Sequence, residues 1–107
     1  VLSSWTGDYP DPMTSLSNMT SHSSYNHGKW HNAGYDRLIA KAEGQDATNP
    51  AKRWADMVAA EKTLANDQGV VVLYQAAIAQ LVRSNIKGIQ FFQESPQWYW
   101  RNVTVNN

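Results

Sequence analysis

The chain is 107 residues long, the size of one ordinary domain, and buries on folding only about two-thirds of the surface its unfolded form exposes. Nine basic and nine acidic residues cancel, which removes the positive footprint of a nucleic-acid binder. There is no cysteine, so disulfide scaffolds, thiolate zinc sites and cysteine nucleophiles are excluded, and no apolar run approaches the roughly 18 residues that span a bilayer.

What polarity the chain has is mostly uncharged. Charged residues make up 17%, against about 25% in an average globular protein, whereas 31 of the 107 residues are Ser, Thr, Asn or Gln. Five Trp and five Tyr supply large faces for a core or a ligand site. The chain has no initiator Met and opens on Val1-Leu2, apolar residues that read as the end of a strand, so a piece of something longer is expected.

Residues 1–9 read as a short strand running into Pro10-Asp11-Pro12, where two prolines forbid helix. Residues 14–32, rich in Ser, Asn and His, read as a long loop with one helical turn at most. A helix follows: Asn32 caps it, Tyr35, Leu38, Ile39 and Ala42 recur at helical spacing, Asp36 and Lys41 suit its two ends, and Gly44 ends it. A second helix starts at Asn49 with Pro50 in its first position and runs to Gly69, its apolar stripe being Trp54, Met57, Val58, Leu64 and Ala65. Glu61 falls on that stripe. Val70–Tyr74 is then a β-branched run of the kind found in a strand covered on both faces, and Ile78–Val82 reads as another. A turn at 85–88 leads to a strand-like tail, Trp98–Val105. The class is α/β, or α+β over this stretch alone.

The first candidate for chemistry is Trp5-Thr6-Gly7-Asp8-Tyr9-Pro10-Asp11-Pro12. A carboxylate beside a glycine and among aromatics can hold a cation. Equally, Asp8 and Asp11 can be turn residues bonding their own backbone. As a glycosidase pair they lack any reason to converge across a sugar. His22, His27 and His31 share no helical spacing and fit no zinc signature, which favours solvated loop histidines. No phosphate loop, nucleophile elbow or metalloprotease helix occurs, so no residue is assigned a catalytic role and no metal or cofactor is implied.

The string from Trp5 to Pro12, with Leu16 after it, resembles a hallmark of the extracytoplasmic oligopeptide-binding proteins of ABC importers. Asn26 and Trp30–Ile39 resemble the segment that this family writes Asn-x-Pro-x-Tyr-Asp-x-Leu-Ile, with Ala33 in place of the proline. Arg53 to Leu64 is similar to its second helix, with Ala60-Glu61-x-x-Leu64. Val71–Tyr74 is similar to a strand in which a proline often stands at the position of Val72. The match covers essentially the whole chain and falls at the C-terminal end of a much longer family.

The resemblance implies part of a two-lobed clamshell that encloses an extended peptide and passes it to a membrane permease, without catalysis. Residues 1–75 would belong mainly to the C-terminal lobe and residues 76–107 would return toward the other. Asp8 would hold the ligand's α-ammonium, the backbone of Thr6 and Gly7 would pair with the peptide, and Trp5, Tyr9 and Tyr74 would line the cleft. The location would be extracytoplasmic, in a periplasm or lipid-anchored at the outer face of the membrane. Gln75, Ala76 and Ala77 stand where relatives place aromatics toward the ligand, which leaves side-chain preference open. The same scaffold also serves sugars, nickel complexes and signalling peptides, and a stand-alone Trp-rich sugar- or protein-binding module is the rival reading. Exposed strand edges would drive self-association.

Overall fold

The computed structural model describes residues 1–92 and 97–106. It divides into a helical unit and an antiparallel hairpin joined by irregular chain. The helical unit comprises α1 (Met13–Leu16), a 3-10 turn (Ser17–Met19), α2 (Ala33–Glu43) and α3 (Pro50–Asn66). The hairpin comprises β1 (Ile86–Lys87), β2 (Gln90–Phe91), β3 (Trp98–Tyr99) and β4 (Thr104–Val105). The shape is drawn out: the radius of gyration is 18.0 Å, where a compact domain of this size has about 13 Å.

Both long helices start as their caps dictate. The Asn32 side chain accepts from the amides of Gly34 and Tyr35 at 2.8 and 3.0 Å, and Asn49 accepts from that of Lys52 at 3.1 Å, with Pro50 following it. Helix α2 has 11 residues, too few to persist alone in water, so packing must hold it. Its buried residues Tyr35, Ile39 and Ala42 meet Met57, Ala60 and Leu64 of α3, and Met13 and Leu16 of α1 close the cluster. Full burial of each of the larger aliphatic side chains contributes about 1.5–3 kcal/mol.

Tyr35 is wholly buried and anchors the centre. Its hydroxyl donates to the Leu16 carbonyl at 2.6 Å, and Trp30 meets its ring edge-on at 5.0 Å. Burial, then the nearby Asp36 charge, pushes its ionisation far above the ordinary tyrosine range, so it stays a donor. Trp30 reaches this position because residue 69 is glycine: a Cβ there would lie 2.7 Å from the indole. Asn26, 1% exposed, fixes the loop before α2 by pairing with both backbone groups of Trp30, at 2.7 and 3.1 Å, and with the Thr20 carbonyl at 3.2 Å.

Helices α2 and α3 are also clamped by charge. The Lys41 ammonium lies 2.8 Å from buried Asp56 on α3 and 3.0 Å from buried Asp46 in the connecting turn. The Lys41 hydrogen bond lowers the Asp46 pKa against the cost of burial.

Five expectations need correction. The α3 stripe is rotated: Asp56, Met57, Ala60 and Leu64 face inward, while Trp54 is 57% exposed and Glu61 and Ala65 face solvent. Asp56 can sit inside because it is paired, and its polarity hid the true face. Residues 1–9 and the runs Val70–Tyr74 and Ile78–Val82 are irregular, not strands, with Val72 and Tyr74 81% and 79% exposed. A strand exists only where a neighbour takes its hydrogen bonds, and among the described residues none does. The loop after the second proline contains α1 and the 3-10 turn, more helix than one turn.

The tail expected as one strand is broken. Ile86 pairs with Val105 and Lys87 with Thr104, but Gln90 pairs with Tyr99 and Phe91 with Trp98. Between these ladders Gly88 and Ile89 face the four residues from Trp100 to Val103, so the register slips by two. Gly88 makes the slip possible, with φ at 82° and the Asn102 carbonyl oxygen 2.1 Å from where a Cβ would stand. The turn expected at 85–88 is thus the first rung of the hairpin.

Replacing Tyr35 by Phe leaves the Leu16 carbonyl buried without its donor. The expected loss is about 1–3 kcal/mol in chemical denaturation followed by helical circular dichroism. Acid should loosen the same unit. Asp11, Asp36 and Asp46 all titrate below the unfolded value of 3.8, so their contribution is complete above that value and is lost as pH falls through the lower folded pKa values. Thermal midpoints should hold steady from neutral pH to about 5 and fall steeply below 4.

Candidate functional site

The segment Trp5–Thr14 is built around Asp11. Pro10 and Pro12 exclude helix before α1, and Asp11 starts that helix: its Oδ1 accepts from the Met13 amide at 2.9 Å and its carbonyl from the Thr14 amide at 3.1 Å. Both carboxylate oxygens are also taken by Arg53 of α3, at 2.7 and 2.9 Å, a forked pair spanning 42 residues of sequence. The Arg53 hydrogen bond holds the Asp11 carboxyl below the usual carboxylate range, against a small desolvation cost. Asp11 is therefore the turn-forming acid that its position between prolines suggested.

Asp8 is different. Its amide donates to the Oγ1 of buried Thr14 at 3.0 Å, which ties its backbone to α1. Its side chain is exposed, and among the described residues no hydrogen bond or ion pair engages the carboxylate. A pinned backbone with a free acid is what capture of a cation requires. The pairing of Asp8 with Asp11 as hydrolytic acids has no basis, since Arg53 occupies Asp11.

The other expected residues surround Asp8 unevenly. Gly7 is half-buried and, with Pro10, Asp11, Pro12, Thr14 and Ser15, lines a concavity of about 380 Å³. Trp5 is 41% exposed and meets the edge of Tyr25 at 4.9 Å, a neighbour that spacing did not reveal. Thr6 and Tyr9 are exposed. Tyr74 lies on the irregular run after α3, and no hydrogen bond or ring contact joins it to the Trp5–Tyr9 segment.

The histidines serve the loop. His31 shares a 2.9 Å hydrogen bond with the Ser21 hydroxyl, and its ring stands edge-on to His22 at 6.5 Å. Asp36 accepts from the Ser21 amide at 2.9 Å. Desolvation raises the Asp36 pKa, but the Ser21 hydrogen bonds and the two imidazoles outweigh it, and the net shift is downward. Among the described residues no group of three or more metal-binding side chains converges.

Arg53→Met should free Asp11 and slacken the segment without melting α2 and α3. Hydrogen exchange at the Asp8, Met13 and Thr14 amides is expected to rise about tenfold, with exchange at Ile39 and Ala60 unchanged.

No family model matches the chain. It is 34% identical over 105 residues to the periplasmic murein peptide-binding protein MppA of Escherichia coli, an alignment covering 98% of this chain and 19% of that protein. Among solved structures, the substrate-binding domain of an oligopeptide ABC transporter from Bacillus anthracis superposes with a TM-score of 0.83 at 34% identity, covering 96% of this chain and 20% of that one. The pheromone receptor PrgZ, solved with its mode of peptide binding, gives 0.81 at 32% identity over 96% of this chain and 19% of its own. The chain spans about a fifth of the length of these relatives. Over nearly all of its length, it is homologous to the peptide-binding proteins of ABC transporters and shares the fold of the fifth of those chains that it matches.

Proposed function

We propose that this chain forms one wall of a peptide receptor that serves an ABC importer outside the cytoplasmic membrane. The reading takes peptide as ligand from the homology, and Asp8 carries it within the site: its backbone is fixed through Thr14 while its carboxylate is free. A peptide α-ammonium is the cation that such an acid fits, by a charge-assisted hydrogen bond. Backbone groups of Thr6 and Gly7 pair with the peptide main chain, and Trp5 and Tyr9 wall the cleft. Tyr74 enters the same wall once the run that carries it is ordered beside a neighbouring strand.

In this reading the helical unit and the chain to residue 75 belong to one lobe, and residues 76–107 return toward the other. Closure of the lobes on the ligand is the signal that the permease reads. The role is capture and delivery without turnover. Apart from the rest of such a receptor, the exposed run Val70–Tyr74 is where copies of the chain would associate.

Calorimetric titration of the intact receptor carrying this chain tests the reading. Short peptides with a free amino terminus should release heat, and their N-acetylated counterparts should bind at least tenfold more weakly. Asp8→Asn should weaken the free peptides by a similar factor and leave the acetylated ones unchanged. Equal binding of both kinds of peptide would refute Asp8 as the ammonium anchor.

A further inference from the structure

The Trp5 ring belongs to a segment that has little else to hold it. Among the described residues no hydrogen bond engages residues 1–7, and their one aromatic ring contact is the edge-on pair of Trp5 with Tyr25, at 4.9 Å. The Tyr25 side of that pair is built differently. Residues 20–31 form a compact surface loop that is packed by its own side chain and whose ends lie together. One nitrogen of the Asn26 carboxamide, buried at 1% exposure, donates to the carbonyls of Thr20 and Trp30 at 3.2 and 2.7 Å, so the two ends of the loop meet on it. Outside this closure the Ser21 amide donates to Asp36 of α2 at 2.9 Å, and the Trp30 ring packs edge-on to Tyr35 in the core. Both backbone groups of Tyr25 are bonded within the loop. Its amide donates to the Ser23 Oγ at 3.2 Å, and its carbonyl accepts from the His27 amide at 2.8 Å.

An edge-to-face aromatic pair supplies a preferred angle as well as apolar contact. Here it joins a ring on a cinched loop to a ring on irregular chain, so the loop sets where the Trp5 ring stands. A side chain that must be ordered as a ligand arrives weakens binding by the cost of ordering it, and one already placed does not. The Tyr25 hydroxyl has no hydrogen-bond partner among the described residues, so its ring makes the contact. We infer that Tyr25 is a positioning residue of the ligand site: the loop of residues 20–31 holds its ring, and that ring holds Trp5 at the angle in which Trp5 walls the cleft beside Asp8. Tyr25 touches no ligand in this arrangement and acts only through Trp5. The inference rests on the peptide reading of the Asp8 site and brings a second element of the fold to bear on it.

The test is a double-mutant cycle in the intact receptor carrying this chain, read by calorimetric titration with alanine peptides of three to five residues. Tyr25→Ala should weaken binding about fivefold, within the range that an edge-to-face pair provides. Tyr25→Phe, which keeps the ring, should restore affinity to within about twofold of the parent. With Trp5→Ala already in place, Tyr25→Ala should change affinity by less than about twofold, because the residue through which it acts is gone. A merely structural role would give the same loss in both backgrounds. That outcome, or unaltered affinity in Tyr25→Ala, would overturn the positioning role and leave the peptide reading standing. Parent-like binding by Trp5→Ala would overturn it too, since Tyr25 would then have nothing to position. If no peptide of the set binds the parent receptor, the peptide reading itself falls, and this inference with it.

Discussion

The forked pair between Arg53 and Asp11 decides how the candidate site is put together. Its side chains are 23% and 30% exposed, between the surface pairs that contribute about 0–1 kcal/mol and the buried ones whose loss is severe. Its importance is positional. Beside the packing of Met13 and Leu16 in the shared core, this contact lets the third helix take hold of a segment 42 residues earlier in the chain. Asp11 then starts the first helix, Thr14 on that helix holds the Asp8 amide, and Asp8 is left with a fixed backbone and a free carboxylate. The two acids are three residues apart and chemically alike, yet one is taken up by Arg53 and the other has no partner among the described residues.

That distinction could not be read along the sequence, because the residue that makes it lies in another element. The helices could be read, because their signals are local: Asn32 and Asn49 are caps with open amides next to them, and Pro50 follows the second cap. The inward face of the third helix misled for a definite reason. Arg53 and Asp56 are polar residues on or beside the packed side, each paired with a distant residue of opposite charge, while Trp54 is a large apolar residue turned to solvent. A polarity pattern ranks these residues the wrong way round, because burial of a charge depends on its partner and not on its own hydropathy. The helix end shows the same limit. Gln68, not the glycine after it, takes the left-handed backbone with φ at 52°, and Gly69 is required by the Trp30 ring instead.

Strands were the least legible element. Preference for a strand measures how a side chain fits a covered, pleated surface, so it describes a neighbour as much as a residue. Val70–Tyr74 carries the composition of a buried strand and stays irregular where no neighbour pairs with it. The hairpin makes the opposite point, since every rung found there joins residues from the two ends of the expected turn-and-tail region. Only the glycine at position 88, whose missing side chain admits the Asn102 carbonyl, marks where the register must slip.

The distribution of order is itself consistent with a receptor wall. Buried polar contacts concentrate in the helical unit: Tyr35 to Leu16, Asn26 to Trp30, Lys41 to its two acids. The groups that the proposed function assigns to a ligand, namely the Asp8 carboxylate and the Trp5 ring, sit on irregular chain beside that unit. A polar group already satisfied inside the protein has little left to offer a peptide, and an exposed one gains only what it does not already have from water. Binding strength in such a wall must therefore come from enclosure, which removes that water once a ligand is in place. In the proposed reading, fixing the backbone of Asp8 beforehand lowers the ordering cost of that step, and this would be the contribution of the bond to Thr14, and behind it the grip of Arg53 on Asp11.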